Sequence, residues 1–405
     1  MSEDKYIHGY KFRIYPTDDQ KKLISKYTNL YRYVYNWAMS KQNEQYDKKK
    51  KGETDDGFFS FFELCKLYAE HRDLPDHEWL KEFPNTTARL ALRDVVNAFK
   101  DFFRRGYGHP KFKSKKRSPK MFKTRNDRFY IDGDQVRFEG LPMTCRYTGD
   151  VDTINLNHDF GYFKSDKIKY IQPSISIDNL GNYWVSFSIE EPIIELNIPQ
   201  SESIGIDMGI RQTMVLSTGE VFNRPKDKIN KLDRRLRRVQ RHRTRDINRR
   251  LEEAHRTKTK YEDIPVSKRA RKREDRVRKL YKRITNVKRA FYHETIKQIV
   301  TRNPEAIVIE TIETRKLQYQ RKGHKNNHEL AHADFYTMRK IFEGKCNKYG
   351  VRLIEADPEY PSSQICSNCG YRQDIGSKKT YVCPQCGMRL DRDLNAALNL
   401  RSLAM

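Results

Sequence analysis

The sequence predicts a multidomain α+β protein, and three observations lead to this prediction. Two stretches with the two-residue periodicity of strands, residues 6–15 and 119–200, flank a stretch with helical periodicity. After residue 200, short apolar strands alternate with helices, as is typical of an α/β domain. Two CxxC pairs interrupt this second region between residues 366 and 386. With 405 residues, the chain is long enough to bury two or three separate cores.

The first 200 residues divide into a strand, a helical block and further strands. Apolar and polar residues alternate over Tyr6–Tyr15, which predicts the first strand. Thr17 and Gln20 occupy the positions of a capping box, so we expect a helix to begin there. The strands on both sides of the helical block are predicted to form one β-barrel that the helices interrupt. The predicted boundaries are 1–16 with 106–200 for the barrel and 17–105 for the helical bundle.

The remaining residues follow the order of a mixed α/β sheet. Three short strands come first, followed by two basic helices, a strand, a helix, a strand, the cysteine-rich insertion and a last helix. This order matches the ribonuclease-H architecture. The predicted strands are Ser203–Met208, Gln212–Ser217, Glu220–Asn223, Ala306–Glu310 and Val351–Glu355, and the predicted helices are a pair within 224–300, then Asp334–Tyr349 and Asp393–Leu403.

The positive charge of the chain is concentrated in two segments. The net charge is +27, from 81 Lys and Arg against 54 Asp and Glu. Arg224–Arg289 holds 28 Lys and Arg against 9 acids, and Arg104–Arg125 holds 10 Lys and Arg without an acid. The rest of the chain is close to neutral. This distribution makes nucleic acid the leading partner, ahead of an anionic membrane.

The sequence pattern argues against a membrane-spanning protein and against a secreted protein with a signal peptide. The longest aliphatic runs have about four residues, whereas a bilayer-spanning helix needs roughly 20. The first residues, MSEDKYIHGYKF, are acidic where a signal peptide is basic, and they contain no apolar segment. We therefore expect no membrane association and a cytoplasmic protein, associated with the nucleoid in a prokaryotic host.

Four cysteines have the spacing of a structural zinc site. Thirteen residues separate the pair Cys366 and Cys369 from the pair Cys383 and Cys386. Two CxxC pairs at this separation are typical of a tetrahedral four-cysteine site for one Zn²⁺. Because all four ligands come from the protein, the site is expected to be structural and separate from any catalytic centre.

Three acidic residues lie where a carboxylate is expected to need a paired charge or a metal ion. Asp207 lies in the apolar segment IGIDMGI, Glu310 ends the strand AIVIE, and Asp393 begins the last helix. An acid in an apolar strand is costly unless it is paired or binds a metal ion. Three converging carboxylates suit a pair of Mg²⁺ ions that hydrolyse a phosphodiester. Taken singly, each acid could instead be a helix cap or a salt-bridged strand end, and Asp393 could be an N-cap.

The motifs together resemble the TnpB family of insertion-sequence proteins, which is related to type V CRISPR effectors. The resemblance rests on IGIDMGI, IVIETI, the SSQICSNCG…YVCPQCG segment and DRDLNAALNL, and also on YRYVYNWAM and GYGHPKFKSKKRS near the N-terminus. It implies a wedge-like β-barrel with a helical recognition insertion, then a split RuvC nuclease with an inserted zinc ribbon. The implied boundaries are 201–365 with 388–405 for RuvC, 224–300 for its basic helical insertion, and 366–387 for the zinc ribbon.

The resemblance also implies an activity and its partners. It implies cleavage of guide-matched double-stranded DNA beside a short transposon-adjacent motif, by a monomeric protein bound to a guide RNA. By position, Asp207, Glu310 and Asp393 take the three catalytic places. Asp391 competes for the third place, and Asp393 is preferred because the family's acid directly precedes x-N-A-A.

The two basic segments supply the candidate nucleic-acid contacts. In the first, aromatic residues (Tyr107, Phe112 and Phe122) lie among the cations, a pattern that suits phosphate contact and base stacking, although a solvated loop is the alternative. The second could form a groove for an RNA–DNA heteroduplex or simply be surface. The candidates are Lys111, Lys113, Lys115, Lys116 and Arg117 in the first segment, and Arg234, Arg235, Arg238 and Arg241 in the second. The polar stretch 315–327 could be a lid over the active site or a plain loop.

The sequence therefore predicts an RNA-guided, Mg²⁺-dependent DNA endonuclease. Three alternatives stay open: a guided DNA-binding repressor without cleavage, a small type V CRISPR effector, and a zinc-ribbon RNA-binding protein without enzymatic activity. The presence of all three acids speaks against the first alternative. The last alternative would explain the charge and the cysteines but not the buried carboxylates.

Overall fold

The computed structural model describes residues 5–105, 108–132, 135–138, 141–146, 168–312, 333–376 and 378–404. These residues fall into two compact units, one of residues 7–190 and the other of residues from 191 onward together with the first residues of the chain. Mixed helices and strands occur in both units, as the sequence predicts. Within the described ranges, no helix combines the length and apolar character needed to cross a membrane.

The first unit combines a seven-stranded sheet with three helices. The sheet has the order β2-β6-β7-β1-β5-β4-β3. Its strands are β1 (Lys5–Ile14), β2 (Lys120–Lys123), β3 (Phe129–Asp132), β4 (Gln135–Phe138), β5 (Leu141–Arg146), β6 (Ile171–Ile177) and β7 (Tyr183–Pro192). The helices are α1 (Asp18–Lys50), α2 (Phe61–Asp73) and α3 (Asn85–Arg105), with a short 3-10 helix over Pro75–Glu82.

The helices begin where their capping residues predict. Thr17 accepts a hydrogen bond from the backbone of Gln20, whose side chain in turn accepts from the backbone of Thr17. Ser60 and Glu63 form the same capping box at the start of α2. Each box satisfies two backbone groups that a helix start would otherwise leave unpaired.

Helices and sheet of this unit share one hydrophobic core. Buried residues of β1, α1, α3 and the later strands belong to a single cluster, including Phe12, Val34, Phe99 and Phe187. The sequence divides this region into a bundle and a barrel, but their apolar faces pack on each other. The helical block therefore contributes to the same core as the sheet.

The second unit is built on a five-stranded mixed sheet with the order β10-β9-β8-β11-β12. Strands β8, β11 and β12 are parallel, and β9 and β10 are antiparallel to their neighbours. The strands are β8 (Ile204–Asp207), β9 (Met214–Leu216), β10 (Val221–Phe222), β11 (Ala306–Glu310) and β12 (Arg352–Ala356), with a separate hairpin of β13 (Thr380–Val382) and β14 (Arg389–Asp391). The helices are α4 (Lys226–Arg256), α5 (Lys268–Val300), α6 (Phe335–Tyr349) and α7 (Arg392–Ser402).

Helices cover both faces of this sheet. Ile307 and Ile309 of β11 pack in a cluster with residues of α5 and α6, whereas Ala306 and Val308 pack in a cluster with Leu400 of α7. Successive side chains of a strand point to opposite faces, so β11 is buried on both sides. This explains why its sequence, AIVIE, is apolar without alternation.

Gly205 in β8 allows helix α7 to lie directly on the strand. A Cβ atom at this position would come within 2.0 Å of the carbonyl oxygen of Ala397 and 2.4 Å of the nitrogen of Arg401. Both are backbone atoms, which cannot turn aside as a flexible side chain would. The separation between β8 and α7 is therefore set by main-chain contact.

Replacing Gly205 by alanine should displace α7 and destabilise the second unit. We expect a loss of about 1–3 kcal/mol in the free energy of unfolding, the range typical of overpacked cores. Thermal or urea denaturation measures the loss. The matched control is Gly344→Ala in α6, where a Cβ meets nothing within 4 Å and alanine favours the helix. Equal stability of the two variants would contradict the close approach.

Helices α4 and α5 form an antiparallel pair with a narrow apolar seam. Ile229, Leu232, Leu236 and Val239 of α4 pack with Val277 and Ile284 of α5. Ion pairs between Arg243 and Glu274 and between Arg273 and Asp246 join the two helices. Most of the remaining cations are exposed, so the pair presents a positively charged surface.

Candidate active site and metal centre

Asp207 and Glu310 end two adjacent parallel strands. Ile206 of β8 pairs with Ile309 of β11, and Asp207 and Glu310 are the next residue on each strand. Because parallel strands share their carboxyl edge, the two side chains emerge side by side. Both are half-buried. The structure thus brings together two acids that the sequence separates by about a hundred residues.

Asp393 lies in the first turn of α7, and it is not the N-cap. The cap is Asp391, whose Oδ1 accepts hydrogen bonds from the backbone nitrogens of Asp393 at 2.9 Å and Leu394 at 3.2 Å. The interpretation of Asp393 as a capping acid is therefore wrong. Asp391 is engaged by the helix start, which leaves the Asp393 carboxylate available for the cluster.

The three carboxylates influence one another electrostatically. Burial raises the pKa of Asp207 well above its ordinary value, and the charges of Glu310 and Asp393 raise it further. Burial also raises the pKa of Glu310 and that of Asp393, the latter with help from Asp391. The guanidinium of Arg392 opposes these shifts at all three acids. Such a cluster favours the binding of cations, since they would neutralise the mutual repulsion.

The three acids are less tightly grouped than the four cysteines. Within the described part of the chain, the cysteine cluster is the one group of three or more potential ligands whose donor atoms all lie within 4.8 Å of one another. Oxygen ligands of one Mg²⁺ ion lie at most about 4.2 Å apart, twice a metal–oxygen bond of about 2.1 Å.

Cys366, Cys369, Cys383 and Cys386 converge on one point. Their Sγ atoms all lie within 4.8 Å of one another, with Cys366–Cys386 at 3.6 Å and Cys369–Cys383 at 3.5 Å. Four sulfurs around a tetrahedral Zn²⁺, with bonds of about 2.3 Å, lie about 3.8 Å apart. A disulfide needs about 2.05 Å. The four thiols are therefore arranged to hold a metal ion and are not paired as disulfides.

The two CxxC segments are folded as similar turns. The nitrogen of Gly370 bonds to the carbonyl of Cys366, and the nitrogen of Gly387 bonds to that of Cys383. Both glycines have positive φ angles, of 77° and 72°, where residues with a side chain are strained. The buried hydroxyl of Tyr381 donates to the carbonyls of Gln364 and Tyr371. These contacts hold the knuckles in place from the protein side.

Sequence reasoning missed three residues that connect α7 to this cluster. Arg392 donates to the carbonyl of Gly376 at 2.8 Å, and the side-chain amides of Asn395 and Asn399 bond to backbone atoms around Cys366. Both asparagines are buried. The available signal was their i, i+4 spacing, because two amides on the buried face of a helix require specific partners.

Most candidate nucleic-acid contacts are exposed. Lys111, Lys115, Lys116 and Arg117 are exposed in the first basic segment, and Arg234, Arg235, Arg238 and Arg241 are exposed on α4. Phe112 is exposed as well, whereas Phe122 is buried in the core of the first unit. Base stacking by Phe122 is therefore a wrong expectation. Tyr107 and the stretch 315–327 lie outside the described residues.

Lys113 differs from its neighbours because it packs against helix α1. Its Nζ lies 3.8 Å from the centroid of the Tyr35 ring, and its backbone exchanges two hydrogen bonds with the amide of Asn36 at 2.7 and 3.0 Å. Burial lowers the pKa of this lysine. Its side chain anchors the basic loop, which argues against a direct phosphate contact.

Comparisons with known proteins match two parts of the chain to family models. Residues 335–400 match the model of a Cas12f1-like TNB domain, and residues 6–51 match a helix-turn-helix domain model named for OrfB of IS605. The second match covers strand β1 and the single helix α1 in this structure. These residues therefore do not fold here as a helix-turn-helix.

Several curated proteins are similar over nearly the whole chain. A protein of Streptomyces pristinaespiralis named "Putative RNA-guided DNA endonuclease" is 27% identical over 97% of this chain and 88% of its own length. InsQ of Escherichia coli K12, named in the same way, is 23% identical over 98% and 92%. The TnpB-like protein L770 of Acanthamoeba polyphaga mimivirus is 24% identical over 99% and 74%.

A solved structure shares the fold. The cryo-EM structure of a Cas12f1–sgRNA–target DNA complex superposes with a TM-score of 0.55 at 13% identity, over 98% of this chain and 99% of that one. At this identity the likeness concerns the fold alone. Together with the family models and the curated relatives, it leads to one conclusion. The chain is similar over nearly its whole length to proteins named as RNA-guided DNA endonucleases or TnpB-like proteins, which is the resemblance that its motifs predict.

Proposed function

We propose that the chain is an RNA-guided DNA endonuclease of an insertion sequence, which cleaves guide-matched DNA beside a short transposon-adjacent motif. The observation that carries this proposal is the convergence of Asp207, Glu310 and Asp393 at the carboxyl edge of a mixed sheet. Relatives named as RNA-guided DNA endonucleases support the activity. The finer fold assignment belongs to the same proposal: a wedge-like barrel, a RuvC domain and a zinc ribbon within the boundaries that the sequence predicts.

The three carboxylates are the proposed ligands of two Mg²⁺ ions. Bound between them, the ions would supply an activated water and would stabilise the charge on the leaving oxygen. Asp207 would hold the ions together with Glu310 and Asp393, since the charges of both acids act on it. Arg392 partly balances the acids before a metal ion binds. The product of such hydrolysis carries a 5′-phosphate.

The four cysteines are the proposed ligands of one structural Zn²⁺. Thiolates in a closed tetrahedral set leave no open position for substrate, so the ion would stabilise the fold without taking part in the reaction. The cluster shares its core with Ile375, Tyr381 and Met388. A core this small needs additional stabilisation, and a metal ion supplies it.

The basic helix α4 is proposed to contact the backbone of the guide–target heteroduplex. Arg234, Arg238 and Arg241 follow one another at intervals of four and three residues, which places them on one face of the helix. All three are exposed. A row of guanidinium groups can follow successive phosphates without reading bases.

Replacing these three arginines by glutamine should weaken heteroduplex binding and reduce its salt dependence. We expect the slope of log K against log salt to fall by about 2.7, since each lost phosphate contact accounts for about 0.9. Affinity at physiological salt should fall roughly 10- to 100-fold. Binding isotherms at several salt concentrations measure both quantities.

The control for this variant removes the same charge elsewhere. Lys21, Lys22 and Lys340 each pair with an acid on their own helix. Replacing them by glutamine should leave the slope nearly unchanged. An equal fall in slope for both variants would mean that total charge, and not the α4 face, determines binding.

The direct test of function is reconstitution. The chain is co-expressed with its flanking DNA, the bound RNA is sequenced, and the complex is incubated with a randomised plasmid library in Mg²⁺ or EDTA. We expect a single bound RNA species and cutting in Mg²⁺ only, beside one short motif. Guided binding without cutting would favour the repressor, and a guide from a CRISPR array would favour a type V effector.

A further inference from the structure

The first turn of α7, which carries Asp393, is tied to the cysteine cluster through Asn395. The amide nitrogen of this side chain donates to the carbonyl of Ile365 at 2.7 Å, and its Oδ1 accepts from the backbone nitrogen of Ser367 at 3.0 Å. Ile365 and Ser367 are the residues on either side of Cys366. A single side chain therefore holds both flanks of a cluster cysteine.

Other contacts join the same two elements, but they lie further from the thiols. Asn399 donates to the carbonyls of Ser362 and Ile365, both at 2.7 Å. Arg392 bonds to Gly376 and Ser363. Ser367 lies inside the first CxxC segment, between Cys366 and Cys369. Among the contacts described between α7 and this segment, only the hydrogen bond from Ser367 to Asn395 involves a residue between the two cysteines.

The burial of Asn395 makes its hydrogen bonds important for the stability of the first turn of α7. It is fully buried. A buried amide that loses its hydrogen-bond partners destabilises the fold, because its desolvation is no longer compensated. Helix α7 has 11 residues, a length at which an isolated helix is marginal in water and depends on tertiary contacts. Asp393 lies two residues before Asn395, within the same turn.

We propose that Asn395 is a positioning residue that couples metal occupancy of the four-cysteine cluster to the placement of Asp393. The inference rests on the proposed function, because it takes Asp393 as a ligand of the catalytic ions. When the cluster holds its metal, the backbone around Cys366 is fixed and presents both bonding partners to Asn395. When the cluster is empty, these partners are released and the first turn of α7 loses a tether. The structural ion thereby acts on the reaction without touching substrate.

The coupling has a thermodynamic signature that a purely stabilising role lacks. If filling the cysteine cluster strengthens divalent-ion binding at the carboxylates, the two effects belong to one linkage and must disappear together when the link is cut. Zinc removal and loss of Asn395 should then be non-additive. Two independent destabilising changes would instead multiply.

The test measures Mn²⁺ binding by electron paramagnetic resonance on the full chain bound to its RNA, with zinc present and after removal by a chelator. In the wild type, zinc removal should weaken Mn²⁺ binding about tenfold, within the usual range of coupling between sites. Asn395→Ala with its zinc retained should show about the same weakening, and zinc removal should then add little. Asn347→Ala, at an exposed position of α6, should behave like the wild type.

A second variant covers the case in which Asn395→Ala does not fold or does not keep zinc. Ser367→Pro removes the N–H that donates to Asn395, along with the Ser367 hydroxyl that lies 3.7 Å from the sulfur of Met388. It copies Pro384, which occupies the corresponding position of the second knuckle. Its zinc content should be normal and its Mn²⁺ binding weakened. Cobalt substituted at the cluster gives an absorption spectrum that reports intact thiolate ligation in both variants.

The possible outcomes separate this inference from the proposed function. Wild-type Mn²⁺ affinity in zinc-loaded Asn395→Ala or Ser367→Pro, or effects that multiply with zinc removal, would overturn the coupling. Mn²⁺ binding that is unchanged in Asp393→Ala would instead contradict the assignment of Asp393 as a ligand, and with it the proposed function. Loss of Mn²⁺ binding in Asp393→Ala together with non-additive effects at Asn395 supports both.

Discussion

Replacing Asp207 by asparagine should reduce DNA cleavage by about 10³-fold or more, while guide RNA remains bound. The substitution keeps the size of the side chain and removes the charge that would help to hold the metal ions. A loss of this size corresponds to about 4 kcal/mol in the activation barrier. Single-turnover cleavage of a guide-matched duplex in Mg²⁺ measures the effect, and co-purifying RNA verifies that the complex still assembles.

The control is a carboxylate outside the cluster. Glu305 lies just before the amino end of β11, whereas Glu310 is at the carboxyl end of the same strand, and Glu305 is exposed. Glu310→Gln should therefore behave like the Asp207 variant, and Glu305→Gln should cleave normally. Cleavage by Asp207→Asn at a rate within tenfold of the wild type would refute the catalytic assignment.

The same Asp207 variant should be more stable than the wild type when no metal is present. Burial and the neighbouring acids raise the pKa of Asp207 above its ordinary value of 3.8, so the folded chain holds a proton that the unfolded chain releases. The wild type therefore loses stability as the pH rises from about 4 through the folded-state pKa, whereas asparagine does not titrate. Melting temperatures in EDTA should diverge with rising pH, and Mg²⁺ should close the gap by stabilising the wild type.

Removing the cysteine ligands should have the largest effect on folding. We expect Cys366→Ser combined with Cys383→Ser to abolish metal binding at the cluster, since two of the four donors would be lost. Without the ion, the small core around Tyr381 should open. Elemental analysis should show the loss of one zinc per chain, and the melting temperature should fall by about 5–10 °C, corresponding to a few kcal/mol for a domain of this size.

A matched cysteine distinguishes ligation from general thiol loss. Cys65 lies partly buried in α2 of the other unit, against its hydrophobic core, and belongs to no group of potential metal ligands among the described residues. Cys65→Ser should keep the zinc and most of the stability. A double variant at Cys366 and Cys383 that retains one zinc per chain would refute the metal centre.

Local patterns in the sequence predicted the elements that carry the candidate active site. The strand Ala306–Glu310 has the predicted bounds, because a short apolar run between polar residues can be buried in only a few ways. The convergence of Asp207 and Glu310 follows from the parallel pairing of β8 and β11, which the order of elements favours. The placement of Asp207 and Glu310 thus depends on the strand topology, which the order of elements along the sequence predicts.

Other features depend on contacts that no local pattern records. Lys113 looks like its basic neighbours, but its position over Tyr35 is set by the packing of a loop on a helix far away in sequence. The buried ring of Phe122 likewise depends on which face of β2 meets the core. The sequence allowed Asp393 to be the N-cap of α7, and only the backbone geometry shows that Asp391 fills this position. Prediction failed where a side chain had several chemically acceptable environments.

The order of the three acids along the chain has a consequence for biogenesis. Asp207 and Glu310 lie on strands that pair with each other, but the third acid is on α7, which packs against β8 only after the intervening zinc segment has been made. During translation, therefore, the strands that carry Asp207 and Glu310 and the basic helices α4 and α5 are all made before the third carboxylate. Under the proposed function, the nascent protein should be unable to cleave DNA until α7 has folded onto β8.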